Sequence, residues 1–124
     1  MGGKIQSFRD LKAWQEGHAL VLLIHTMVQQ FPKHEQYALS SQLWRAVVSV
    51  TSNIAEGFRR QSYKDKAHFY TMSIASVSEI QNQLLIARDV GYIDTKTFDT
   101  IANQTVQVSK LLNGLITATK SRVY

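Results

Sequence analysis

The sequence predicts an all-α fold, an antiparallel up-down-up-down four-helix bundle, and three observations carry that prediction. Apolar residues recur at spacings of three and four along four long segments, and no stretch shows strand-like alternation. Glycine and proline fall almost entirely between those segments. The connections are short, so consecutive helices should lie antiparallel. A chain of 124 residues has the size of one domain, and a single bundle over residues 1–124 is expected.

The first helix is expected over about residues 10–30. It carries two apolar stripes, one of Leu11, Trp14, His18, Val21, His25 and Val28, the other of Leu20, Ile24, Met27 and Phe31. Pro32 biases Phe31 away from helix and ends the segment. The second helix, about 37–59, has a seam of Leu39, Leu43, Ala46, Val50, Ile54 and Gly57 and a further stripe of Trp44, Val48, Thr51 and Ala55. Gly57 and Gly91 stand near the ends of the second and third patterns, where glycine commonly closes a helix. The third helix, about 63–90, repeats Tyr70, Ile74, Val77, Ile80 (or Gln81), Leu84 and Ala87. Ser62 can cap it, its hydroxyl accepting from the backbone N–H three residues on. The fourth, about 95–121, has the clearest seam in Phe98, Ile101, Thr105, Val108, Leu112, Leu115 and Thr119, with Asp94 or Thr95 as its cap.

A bundle helix in a monomer needs an apolar arc only a little over 100° wide. Helices one and two exceed it. Trp14, Leu20, Ile24, Trp44 and Val48 are therefore expected to serve structure and self-association, because bare apolar surface of that extent is an aggregation liability.

Composition excludes several classes of chemistry. With no cysteine there is no disulfide scaffold, zinc–thiolate site, iron–sulfur cluster or thiol nucleophile. The longest apolar run, residues 19–24, is far below the roughly 20 residues that span a bilayer. Met1-Gly2-Gly3-Lys4 carries no apolar stretch placed like a signal peptide, and the glycine pair reads as appended. A soluble, cytoplasmic protein with no membrane partner is expected.

Four-helix bundles that hold di-iron sites need paired Glu-x-x-His motifs, but Glu16 leads to Ala19, Glu56 to Arg59 and Glu79 to Asn82. His34-Glu35 has Ala38 where the helical zinc motif requires a second histidine. His18 and His25, seven apart, are expected as satisfied core histidines rather than ligands. No nucleophile elbow, phosphate loop or dinucleotide fingerprint occurs. No cofactor and no metal are expected. An enzyme would have to use Glu56, Glu79 or His68, and the favoured expectation is a protein without enzymatic activity.

Charge is more informative. Fourteen Lys and Arg against nine Asp and Glu leave a net +5. Residues 58–70 hold Arg59, Arg60, Lys64, Lys66 and His68 interleaved with Phe58, Tyr63, Phe69 and Tyr70. Cations supply the salt-dependent part of nucleic-acid affinity, and interleaved aromatics can stack on unpaired bases. The competing reading is an ordinary solvated helix end whose cations complement the macrodipole, in a scaffold that binds protein partners and no nucleic acid. Arg9, Lys12, Lys120 and Arg122 are expected at the opposite end of the bundle from this cluster.

From Ser49 to Arg60 the chain reads Ser-Val-Thr-Ser-Asn-Ile-Ala-Glu-Gly-Phe-Arg-Arg. Together with Phe8-Arg9-Asp10-Leu11-Lys12-Ala13-Trp14, Phe31-Pro32, Glu35, Ser41-Gln42-Leu43, Phe69-Tyr70, Ser76-Val77-Ser78-Glu79-Ile80 and residues 83–93, it resembles the four-helix-bundle proteins encoded by intervening sequences in bacterial 23S rRNA genes. Thr51 and Ala75 depart from that family, which often has Pro and Gly there. The resemblance implies an up-down protomer assembling into a homopentameric ring. It extends to the accessory variability protein of diversity-generating retroelements, a basic ring that binds nucleic acid, RNA or DNA, and a reverse transcriptase. Within the central motif, Asn53 and Glu56 lie one turn apart, and with Glu79 they are expected to fix helix pairing or ring contacts. A buried Glu56 would need a cation or donor, with Arg45, Arg59 and Ser76 as candidates.

Overall fold

The computed structural model describes residues 4–122, so the Gly2-Gly3 pair lies outside it. A 3-10 turn at Phe8–Asp10 leads into α1 (Lys12–Val28), and a second at Lys33–Glu35 leads into α2 (Leu39–Arg59), followed by α3 (Tyr63–Asp89) and α4 (Thr95–Lys120). No strand occurs among the described residues. Each helix packs on its neighbours in sequence and α4 closes against α1, whereas the diagonal pairs do not approach. That is an antiparallel four-helix bundle.

Local chemistry sets the helix ends. Ser62 Oγ accepts from Asp65 N at 3.0 Å and Asp94 Oδ1 from Thr97 N at 2.8 Å, so both expected caps are present. The N–H groups that bond Asp94 hold its carboxyl below the usual carboxylate range. Gly91 closes α3 in the left-handed region, at φ 85°, which lets Tyr92 N reach back to Ala87 O at 2.8 Å. Gly57 behaves otherwise than expected. It stands inside α2, buried, and its hydrogen atom faces α3 where a β-carbon would lie 2.7 Å from Tyr70 Cε1 and 3.0 Å from Phe69 Cβ.

The core follows the seams. Leu43, Val47, Val50 and Ile54 of α2, Val77, Ile80 and Leu84 of α3, and Val108 and Leu112 of α4 are all essentially without solvent contact. Leu20 and Ile24 of α1 join them at 0% exposure, which corrects the expectation that they serve self-association. The α1 seam is Ala13, Gly17, Leu20, Ile24 and Met27; its two small members hide the pattern from a hydrophobicity count while admitting α2 closely.

Polar bonds cross three of the four helix interfaces. Ser73 Oγ donates to Val50 O at 2.8 Å, Gln81 Nε2 to Thr105 Oγ1 at 3.1 Å, and Gln104 Nε2 to Glu16 O at 2.8 Å. Each constrains the axial register of one helix pair, since a slide of one turn would strand a polar group in the interior.

Candidate nucleic-acid interface

Only Arg60, Gln61 and Ser62 separate α2 from α3. The turn is drawn onto the bundle end because Gly57 lets Phe69 and Tyr70 press against α2. Lys66, half-buried one turn into α3, folds back so that its ammonium donates to the carbonyls of Phe58 and Gly57. That satisfies the C-terminus of α2 and complements its macrodipole. Arg60 Nη2 sits 2.9 Å from Glu56 Oε2, and the Arg60 guanidinium lies 4.5 Å from the centre of the Phe69 ring. The Arg59 guanidinium lies 5.7 Å from the Phe8 ring centre, Lys64 is exposed, and exposed His68 meets Phe69 edge-on at 5.7 Å. The turn thus presents Arg59, Lys64 and His68 outward, while Lys66 has a structural task and Arg60 shares itself with Glu56.

The expectation that Arg9, Lys12, Lys120 and Arg122 lie at the far end is wrong. An up-down bundle returns the chain to its starting end after every second helix, so α1 begins, α2 ends, α3 begins and α4 ends on one side. The contacts agree: Arg59 covers Phe8, and the Arg122 guanidinium lies 6.0 Å from the Tyr63 ring centre. Arg9, Lys12, Arg59, Arg60, Lys64, Lys66, Lys120 and Arg122 therefore share one end, eight of the fourteen basic residues. Only Asp10, Glu56 and Asp65 of the nine acids accompany them. Asp10 accepts from Gln6 N at 2.9 Å and Ser7 N at 3.0 Å, bonds that hold its carboxyl below the usual range. Glu56 is already paired with Arg60. With two of its three carboxylates engaged locally, this end of the bundle carries a surplus of positive charge.

The central motif also sorts differently from expectation. Glu56 is exposed and pairs with Arg60 one turn on, not with Arg45, Arg59 or Ser76. Asn53 is half-buried and donates to Ser49 O at 2.9 Å and Ser49 Oγ at 3.0 Å; Ser49 Oγ in turn meets Ser76 Oγ of α3 at 2.9 Å. Glu79 is exposed and accepts from Gln83 Nε2 at 3.2 Å. It lines a shallow polar groove between α2 and α3 with Gln42, Arg45, Ser49 and Ser76. Because Gly57 faces Phe69, Glu79 lies ten residues farther along α3, about 15 Å from the level of Glu56 at 1.5 Å per residue. The two carboxylates do not converge. Among the described residues no cluster of three or more His, Asp or Glu side chains is placed to hold a metal ion.

The other α1 stripe faces outward. Trp14, Val21 and Val48 are half-exposed, Leu22 is 57% and Trp44 40% exposed. His18 and His25 are not core histidines: both are exposed, His18 stacked on Trp14 at 4.8 Å between ring centres and His25 tilted against Trp44 at 5.7 Å. The result is a continuous aromatic and aliphatic face across α1 and α2.

One cluster escaped the sequence reading. At the end opposite the basic one, Tyr92 OH donates to Glu35 Oε2 at 2.6 Å, and Glu35 Oε1 accepts from Leu39 N at 3.1 Å. Glu35 so caps α2, for which Ala38 offers no side-chain acceptor, and ties it to the α3–α4 loop. These two bonds hold the Glu35 carboxyl below its ordinary range, and Glu35 raises the Tyr92 phenol. Nothing in local spacing marks a contact across 57 residues.

No helix among the described residues is long and apolar enough to cross a membrane. The family model for 23S rRNA-intervening sequence protein matches residues 9–114. Among solved structures, the chain is similar to a protein of unknown function from the S23 ribosomal protein family of Bacteroides thetaiotaomicron, with a TM-score of 0.79. The two are 20% identical, over 85% of this chain and 95% of that one, a likeness of fold. No protein with a curated description matches the chain.

Proposed function

Since the chain belongs to the 23S rRNA-intervening sequence protein family, we propose that it is a cytoplasmic, non-enzymatic accessory protein that assembles with copies of itself and binds RNA or DNA through the basic end of the bundle. The observation that carries this reading is the gathering of eight basic residues against three acids at that end, two of them, Asp10 and Glu56, already engaged locally. Cyclic assembly strengthens it, because rotation about one axis sets every copy of that end at the same height. Five copies at +5 each carry +25, enough to concentrate a polyanion at the rim. The outward α1–α2 face with Trp14 and Trp44 is the surface such assembly would cover.

Measuring affinity for RNA and DNA against salt tests the reading. Log K should fall by about 0.7–0.9 for each phosphate neutralised per unit of log salt. Replacing Arg9, Arg59, Arg60 and Lys64 together with Ala should weaken binding and flatten that slope, leaving the fold intact. Lys66 is kept because it caps α2. Unaltered affinity in the quadruple variant would remove this surface. A second reading, a protein-interaction scaffold, draws on the engagement of Arg60 and Lys66 within the turn itself. Absence of any binding at low salt would favour it.

A further inference from the structure

The basic end is not sealed. A cleft of about 180 Å³ opens between the α2–α3 turn and the last turn of α4, with Phe58, Tyr63 and Tyr70 on its walls and Lys66 and Arg122 beside them. Tyr63 is 40% exposed, its ring offered to solvent beneath Arg122. Tyr70 is the telling residue. It is only 2% exposed, and among the described residues no hydrogen bond reaches its hydroxyl. Burial alone pushes its phenol up. The ring packs against Gly57 while the residue lines the open cleft, so its hydroxyl is a donor and acceptor left to whatever enters there.

The cleft therefore combines a flat aromatic wall, an unanswered hydroxyl and a cationic rim. The group that answers all three is planar, carries hydrogen-bonding atoms on its edge and is flanked by anions. We propose that the cleft takes one unpaired base of a single-stranded RNA or DNA, stacked on Tyr63 and bonded at its edge by Tyr70. The flanking phosphates then lie against Arg122, Arg59 and Lys64. A duplex cannot enter in this way, because its bases are stacked on one another and paired. This assignment rests on the nucleic-acid reading above and narrows it to strands with exposed bases.

The test compares a labelled unstructured strand, as RNA and as DNA, with the same sequence as duplex, by fluorescence anisotropy on the full chain. Single strands should bind about tenfold tighter than duplex, in line with the worth of one stacked base. Tyr63→Ala should erase that margin while leaving duplex affinity and its salt slope unchanged. Tyr70→Phe, which keeps the ring and the packing against Gly57, should cost about fivefold for single strands alone. A margin in either sugar supports the cleft, and the larger of the two identifies the strand it prefers. Equal binding of strand and duplex, indifferent to both substitutions, overturns the cleft and leaves the basic-end reading standing. No binding of any nucleic acid overturns both.

Discussion

Alanine at position 57 would bring its β-carbon to 2.7 Å from the Tyr70 ring and 3.0 Å from Phe69 Cβ, an atom fixed directly to the α3 backbone at the α2–α3 crossing. Gly57→Ala should lose about 1–3 kcal/mol in urea unfolding, the usual cost of overpacking. Gly114, with nothing within 4 Å of the same added atom, serves as the contrast: Gly114→Ala should gain about 1 kcal/mol from helix propensity. The Glu35–Tyr92 pair makes a pH prediction. Glu35 is held below its ordinary value of 4.5, so its contribution is present above that pH and is lost as acid protonates the folded carboxylate. Tyr92 is raised above 10.0, so its contribution is complete below that pH and fades as alkali ionises the folded phenol. Tyr92→Phe should lower the melting temperature most between about pH 5 and 10. The gap to the parent should narrow on the acid side, and a gap constant from pH 7 to pH 3 would show that the bond plays no part.

The helices are joined by an apolar interior and registered by sparse polar bonds. Ser73, fully buried, donates to Val50 O across the α2–α3 interface; Ser73→Ala should cost about 0.5–1.5 kcal/mol by urea midpoint with the slope unchanged. Asn53 turns inward on its own helix and meets α3 only through Ser49 and Ser76, so its part in pairing is indirect. The α4 seam is the most regular in the chain, and its Ile101, Thr105, Val108 and Leu112 are all buried. Gln83 is the opposite case: 4% exposed on α3, it bonds Glu79 through its nitrogen, and its oxygen has no partner among the described residues. No apolar repeat could have marked it as interior.

For the molecule as a whole, charge and apolar surface are segregated. The basic end faces along the bundle axis, and the Trp14–His18–Val21–His25 stripe with Trp44 and Val48 runs along its flank. A flank of that chemistry is suited to lie against a copy of itself or another protein surface, leaving the end open to a polyanion. Light scattering on the gel-filtered protein should give several times the protomer mass. Trp14→Glu combined with Trp44→Glu should reduce it to a single protomer of unchanged helical circular dichroism. A mass unaffected by the double substitution would exclude this face as the contact.

Helix number, helix ends to within two residues and three of the four core seams were readable from the amino acids, because a 3.6-residue period and the capping residues Ser62 and Asp94 act within one or two turns. The family motif was equally local. What adjoining residues could not show was which of two neighbouring stripes on α1 turned inward, since small Ala13 and Gly17 complete the buried one. Nor could they show that Glu35 finds Tyr92, that Glu56 stays in solvent, or that Tyr70 carries a hydroxyl into a cleft. These outcomes depend on groups brought together from distant parts of the chain. The gathering of Arg9, Lys12, Lys120 and Arg122 beside the α2–α3 turn is of another kind: the up-down topology predicted from the sequence already entails it, and the contacts of Arg59 with Phe8 and Arg122 with Tyr63 make it physical.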